Sequence, residues 1–126
     1  MAPKPFRLKP QTVSEDAEQI SLAKWLDGRK GVRWCHTPNG GSRNIVVASK
    51  LKKCGVKPGV PDVLIYTPPP KHLGKVGTAV DLKRRDGGVV SEFQQEWLAD
   101  LERHGWLITV AHGWEDAVKF LQEAGY

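Results

Sequence analysis

The sequence predicts an α/β protein in which a mixed central sheet is flanked by helices, with the element order αβαββαβα. Segments with apolar residues at helical spacing alternate along the chain with short segments rich in β-branched and aromatic residues. Gly, Pro and Asn cluster between these segments, as expected for turns. The 126 residues, 40% of them hydrophobic, are enough for one core. A single domain is therefore expected.

Apolar periodicity and capping residues predict four helices. Ser14 precedes the first, and Ser91, followed three residues later by Gln94, opens the third with a capping-box pattern. The predicted helices span residues 14–29, 43–55, 91–105 and 114–125. The apolar face of the third helix consists of Phe93, Trp97, Leu98 and Leu101.

Runs of β-forming residues predict four strands, at residues 32–36, 61–67, 76–85 and 106–113. A Pro-rich turn over residues 68–75 joins the second strand to the third, which predicts a hairpin. Because side chains alternate along a strand, Asp81 and Lys83 share one face of the third strand, and Val80 and Leu82 share the other.

The charge and the cysteine content indicate an intracellular protein with an anionic partner. The formal net charge is +5 and the pI is near 9.4, which favours nucleic acid as that partner. Residues 1–13 are predicted to form a flexible basic arm, and residues 14–126 the single domain. Cys35 and Cys54 lack disulfide or zinc-site spacing, and we find no signal peptide or membrane span. We expect a cytoplasmic protein that is not secreted and does not contact a membrane.

An acidic residue, Asp62, stands at the start of the second strand, where an uncompensated carboxylate is costly. If the second and third strands pair, Asp62 meets Asp81, and Lys83 lies beside them. Two close carboxylates repel each other and have raised pKa values unless a divalent cation lies between them. Hard oxygen ligands without nearby His or Cys favour Mg²⁺ or Mn²⁺ over zinc.

The pattern "GVPD", eighteen residues and then "DLK" resembles the signature of the PD-(D/E)xK nucleases. The surrounding sequence resembles one branch of them, the virus-type replication-repair nuclease or VRR-NUC domain. Five segments carry this resemblance in order: "SEDAEQ", "PNGGSRN", "LKKCGVKPGVPD", "VDLKRRDGGVVSEFQQEWL" and "GWEDAVKFL". The resemblance implies a restriction-endonuclease-like core and metal-dependent hydrolysis of phosphodiester bonds in DNA, in replication, recombination or repair.

The resemblance also implies a role for each matching residue. Asp62, Asp81 and the backbone carbonyl of Leu82 would hold Mg²⁺ or Mn²⁺, and Glu15 would add a further acid from the first helix. Glu18 competes with Glu15 for that role, and we favour Glu15 because Gln19 follows it at the family's spacing. Lys83 would orient the attacking water or stabilise charge on the phosphate. Gln94 would hold Lys83 or the nucleophile.

Polar and basic residues near these segments are predicted to contact the DNA backbone and to make binding sensitive to salt. They are Asn39, Arg43, Lys50, Lys52, Lys53, Lys57, Arg84 and Arg85. Small stand-alone members of the family resemble homodimers, whose two sites suit a branched substrate such as a four-way (Holliday) junction.

Two other interpretations stay open at this point. One is a catalytically inactive DNA-binding module with the same fold, and the other is an unrelated basic α/β protein whose acids are structural. Intact Asp62, Asp81 and Lys83 favour the nuclease over the inactive module. Thermal stabilisation by excess Mn²⁺ separates the nuclease from a protein whose acids form only structural ion pairs. The preferred DNA structure and the number of metal ions are left open.

Overall fold

The computed structural model describes residues 13–38 and 44–126. Its elements follow the predicted order αβαββαβα. The helices are α1 (Glu15–Asp27), α2 (Ile45–Lys53), α3 (Glu92–Arg103) and α4 (Trp114–Glu123). The strands are β1 (Trp34–His36), β2 (Val63–Ile65), β3 (Thr78–Lys83) and β4 (Leu107–His112). The predicted basic arm, apart from Val13, and the predicted DNA contacts Asn39 and Arg43 lie outside the described residues.

The described strands form one mixed sheet in the order β1-β2-β3-β4. β2 pairs antiparallel with β1 and with β3, whereas β3 and β4 are parallel. The predicted β2–β3 hairpin is confirmed, with Val63 opposite Val80. Helix α3 connects β3 to β4, because two parallel neighbours need a long crossover. The predicted mixed sheet flanked by helices is therefore confirmed.

Side-chain caps determine where three helices begin. The side chains of Ser14 and Asn44 each accept a hydrogen bond from the backbone N–H three residues later. At α3, Ser91 Oγ accepts from the Gln94 N–H at 3.2 Å, and Gln94 Oε1 accepts from the Ser91 N–H at 2.8 Å. This is the capping box predicted from the sequence.

The main core lies where α1 and α4 pack together against the sheet. Its fully or nearly fully buried members are Leu22, Leu26, Val63, Ile65, Val80, Leu82, Ala111, Ala117 and Leu121. All six residues of β3 are buried, so the charged residues of that strand, Asp81 and Lys83, are buried as well. None of the helices in the described part of the chain has the length and apolar composition needed to cross a membrane.

Two helices differ from what periodicity predicts. Helix α2 has no buried residue, and its Ile45 and Val46 are 86% and 77% exposed. In α3, Phe93 is 58% exposed, although it belongs to the predicted apolar face. The first turn of α3 contacts the loop before β2, where Gly59 lies directly against the Phe93 backbone.

The contact between Gly59 and α3 predicts a large loss of stability for Gly59→Ala. Gly59 has φ +85°, and an added Cβ would lie 2.5 Å from the Phe93 carbonyl carbon. Backbone strain and the clash together are expected to lower the free energy of unfolding by about 3 kcal/mol or more. Urea unfolding measures this loss.

Gly55→Ala is the matched control. Gly55 has φ +102°, but an added Cβ there meets nothing within 4 Å among the described residues. This variant is expected to lose only about 1 kcal/mol, from backbone strain alone. If the two variants lose the same free energy of unfolding, Gly59 does not lie against α3 as described.

Candidate active site

Asp62 lies at the point where β2 begins, and three hydrogen bonds fix it. Asp62 Oδ2 accepts from the Leu82 backbone N–H at 2.7 Å, which extends the contact between β2 and β3 beyond their paired residues. The Asp62 carbonyl oxygen accepts from the Thr37 N–H at 2.9 Å and from His36 Nδ1 at 2.8 Å. Continuing the hairpin register from Val63 and Val80 brings Asp62 opposite Asp81.

Asp81 is a buried carboxylate whose oxygens lack hydrogen-bond donors. It is 1% exposed, and neither oxygen has a hydrogen-bond partner among the described residues. The Lys83 ammonium lies 3.9 Å from Oδ2, beyond hydrogen-bonding distance. Burial, and next the neighbouring Asp62 carboxyl, raise the pKa of Asp81 from 3.8 to about 7, although Lys83 partly opposes this shift. The site therefore contains a carboxyl group whose negative charge is not fully compensated by its surroundings.

Lys83 is held by the same glutamine that caps α3. It is 9% exposed, and its Nζ donates to Gln94 Oε1 at 2.7 Å. Gln94 Oε1 thus accepts from both Lys83 and the Ser91 backbone. A side chain that stabilises the helix start consequently also fixes the direction of the Lys83 ammonium.

A cleft of about 540 Å³ connects these groups. The described residues that line it include Glu15, Asp62, Leu82, Lys83 and Gln94. Helix α1, the end of β1, the start of β2, the end of β3 and the start of α3 all contribute to its wall. The structure therefore brings these five predicted residues together, with the buried Asp81 in contact with Lys83.

Five further residues that were not among the predicted site residues line the cleft: Ser14, Asp16, Gln19, His36 and Pro38. His36 ends β1, opposite Val63, and its ring contacts the Asp62 backbone. Gln19 follows Glu15 by one helical turn. The i, i+4 spacing on α1 was the available signal for Gln19. The sequence places His36 at the end of a strand. Only the pairing of β1 with β2 shows that this strand end lies next to Asp62.

The two acids that compete for a role on α1 have different surroundings. Glu15 is exposed and lines the cleft. Glu18 is fully buried, and its Oε1 accepts from Nε and Nη2 of Arg85, both at 2.8 Å. Glu18 Oε2 accepts from the Trp114 backbone N–H at 2.6 Å. Glu18 thus ties α1 to the segment after β3 and to the start of α4.

This difference predicts losses of stability of different size for the two acids. Glu18→Ala is expected to lower the free energy of unfolding by about 3 kcal/mol, because the Trp114 N–H and the Arg85 guanidinium lose their acceptor. Glu15→Ala is expected to cost less than about 1 kcal/mol, the value of an acid at a helix start. Urea unfolding of both variants makes the comparison. A similar midpoint for the two would contradict the structural role of Glu18.

The residues that are predicted to contact DNA differ in their surroundings. Lys50, Lys52 and Lys53 are exposed on α2, and Lys57 and Arg84 are exposed in loops. Arg85 differs, because its guanidinium is paired with Glu18 and lies 3.8 Å from the Glu115 carboxylate. The charge of Arg85 is therefore largely compensated within the protein.

The donor set of the cleft fits a hard divalent cation. Among residues 13–38 and 44–126, no three His, Cys, Asp or Glu side chains are grouped closely enough to form a complete metal site. Asp81 nevertheless offers two buried oxygens without partners, next to the carboxylate of Asp62. A cation bound there would compensate the charge that raises the pKa of Asp81.

The sheet order, the paired carboxylates and the adjacent lysine are the features of a PD-(D/E)xK nuclease. A comparison with family models matches residues 13–115 to the VRR-NUC domain. The chain belongs to the VRR-NUC family of nuclease domains. A solved structure titled "VRR_NUC domain protein" shares the fold, with a TM-score of 0.71 and 24% identity, over 94% of this chain and 91% of that chain. No match was found among curated proteins.

Proposed function

We propose that the protein is a metal-dependent DNA endonuclease that hydrolyses phosphodiester bonds in branched DNA, such as four-way junctions. The observation that carries this proposal is the buried, unpartnered Asp81 carboxylate beside Asp62 and Lys83, at a cleft with room for a phosphate. A purely structural aspartate would be expected to have its oxygens hydrogen-bonded. Membership in a nuclease family supports the same conclusion.

Four groups would hold Mg²⁺ or Mn²⁺: the carboxylates of Asp62, Asp81 and Glu15, and the backbone carbonyl of Leu82. When bound, such a cation supplies Lewis-acid polarisation of the phosphate and a more acidic water. Asp62 is suited to this role because its Oδ2 bond to the Leu82 N–H fixes the orientation of the carboxylate. Glu15 approaches the cleft from α1.

Lys83 would act on the reacting phosphate. Its ammonium is nearly buried and is directed by Gln94, so its charge is little screened and needs no reorganisation. From this position Lys83 either orients the attacking water or stabilises the negative charge that develops on the phosphate. Gln94 is a positioning residue in this mechanism, since it acts through Lys83.

Binding to DNA would rest on the exposed lysines of α2 and the following loop, Lys50, Lys52, Lys53 and Lys57. The chain has a net charge of +5, and we propose that these lysines attract the phosphate backbone of DNA. The affinity for DNA should then fall steeply as the salt concentration rises. Arg85 is a weaker candidate, because Glu18 already pairs with it.

We also propose that the protein acts as a homodimer. Helix α2 supports this, because none of its residues is buried within one copy and its first turn exposes Ile45, Val46 and Val47. Apolar side chains in one exposed turn are suited to cover a second protein surface. A two-fold dimer would present two clefts to the symmetric strands of a junction.

A substrate panel tests the proposed specificity. Labelled four-way junction, flap, nicked duplex and plain duplex are incubated with the protein in Mg²⁺ or Mn²⁺, and the rates are compared. The proposal expects the junction to be cut fastest, at paired positions on opposite strands. Equal cleavage of all four substrates would contradict the preference for branched DNA without contradicting the nuclease activity.

A further inference from the structure

The amide of Gln19 is uncommitted, although the residue lies in the wall of the cleft. Gln19 lies on α1, one turn after Glu15. Its Nε2 is shielded from solvent and has no hydrogen-bond partner among the described residues. The amide oxygen likewise makes no hydrogen bond within the part of the chain that the structure describes. The side chain thus contributes no hydrogen bond to the described fold.

An amide in this state is costly to the folded protein. A buried N–H without an acceptor has lost its bonds to water and gained nothing in return. The two carboxylate oxygens of Asp81 are also buried without a hydrogen-bond partner among the described residues. A cation would satisfy Asp81, but a cation cannot satisfy an N–H donor. An acceptor on a bound ligand would satisfy the Gln19 amide.

We propose that Gln19 is a substrate-binding residue whose Nε2 donates a hydrogen bond to a non-bridging oxygen of the scissile phosphate. The inference rests on the proposed nuclease function, which places that phosphate in the cleft. The terminal torsion of a glutamine has a broad profile, so the amide turns toward a ligand at little cost. Gln19 approaches from α1, and Lys83 approaches from β3. The two residues together hold the phosphate from different elements.

Three variants test this assignment by steady-state cleavage of the DNA substrate that the wild type cuts best. Gln19→Ala removes the amide and is expected to lower kcat/KM about 10- to 100-fold, the value of a hydrogen bond to a charged group. Gln19→Glu keeps the shape but loses the donor, and it is expected to be at least as impaired. Gln95→Ala is the matched control, because Gln95 is an exposed glutamine whose Nε2 bonds to the Val90 carbonyl. Its kcat/KM is expected to stay within about twofold of wild type.

A substrate with sulfur in place of one non-bridging oxygen identifies the contact. Sulfur is a poor hydrogen-bond acceptor, so one diastereomer at the scissile phosphate should slow the wild type but add little to the defect of Gln19→Ala. Such non-additivity is the signature of a direct contact, which a purely structural role would not produce. Additive losses with both diastereomers would overturn the assignment.

The outcomes also separate this proposal from the nuclease function. If the wild type cuts DNA and Gln19→Ala cuts it equally well, the Gln19 assignment is wrong and the nuclease function stands. If the wild type does not cut any DNA in Mg²⁺ or Mn²⁺, the proposed function fails first. The thermal midpoint of Gln19→Ala is expected to be no lower than that of the wild type, since the amide makes no hydrogen bond within the described fold.

Discussion

Lys83→Ala is expected to lower the rate of DNA cleavage about 10²- to 10³-fold, the usual effect of removing one preorganised donor from a reacting centre. Lys83 is 9% exposed, and its Nζ donates to Gln94 Oε1 at 2.7 Å. The described residues that line the cleft include no other lysine or arginine, so none of them can replace the Lys83 ammonium. Single-turnover cleavage of end-labelled DNA measures the chemical step directly.

The fold should survive this change. Gln94 keeps its bond to the Ser91 backbone when Lys83 is removed, so the start of α3 remains capped. Lys119→Ala, a change at an exposed position on α4, is the charge-matched control and should cut at nearly the wild-type rate. Full activity of Lys83→Ala, with Lys119→Ala unchanged, would remove Lys83 from the mechanism.

Asp81→Asn is expected to stabilise the protein at pH 8 in the absence of divalent cations, by about 2 kcal/mol, while cleavage is lost. The pKa of Asp81 is raised from 3.8 to about 7 by burial and by Asp62. Between about pH 4 and pH 7 the folded state therefore holds a proton that the unfolded state has released, and at pH 8 the folded state carries an unfavourable buried charge. The stability that this proton confers is complete below pH 4 and is lost as the pH rises through about 7. The neutral asparagine removes this pH dependence.

Urea unfolding at pH 5 and pH 8 in EDTA tests this prediction. The advantage of Asp81→Asn over the wild type should be large at pH 8 and small at pH 5. Asp86→Asn, in an exposed turn, is the control and should show no pH-dependent gain. If Asp81→Asn is as stable as the wild type or less stable at pH 8, the Asp81 carboxylate is compensated in the free protein.

The parts of the site that the sequence predicted are those that depend on short-range rules. Side-chain alternation along β3 placed Asp81 and Lys83 together, and the turn between β2 and β3 allowed Asp62 to be set opposite Asp81. The capping-box spacing located Gln94 at the start of α3, where Lys83 reaches it. The positions of these residues needed only local periodicity or one hairpin, whereas their roles and the link between Gln94 and Lys83 came from the family resemblance.

The features that the sequence did not predict depend on contacts between distant segments. Glu18 looks like an ordinary acid at a helix start, and its buried role depends on Arg85 and Trp114, which are 67 and 96 residues away. Phe93 belongs to the predicted apolar face of α3, but its side chain is 58% exposed. Helical periodicity describes which residues share a face, but it does not say whether that face is covered, as α2 shows.

Asp62, Asp81 and Lys83 are proposed to form a metal-dependent phosphodiesterase site. The most direct measurement is strand cleavage of end-labelled four-way junction DNA by the purified protein in Mg²⁺ or Mn²⁺, with parallel samples in EDTA. Cleavage that requires the metal and leaves 5′-phosphate ends is the predicted result. DNA that is bound and shifted on a gel but never cut with either metal would contradict the claim, and it would assign the chain to the inactive DNA-binding modules.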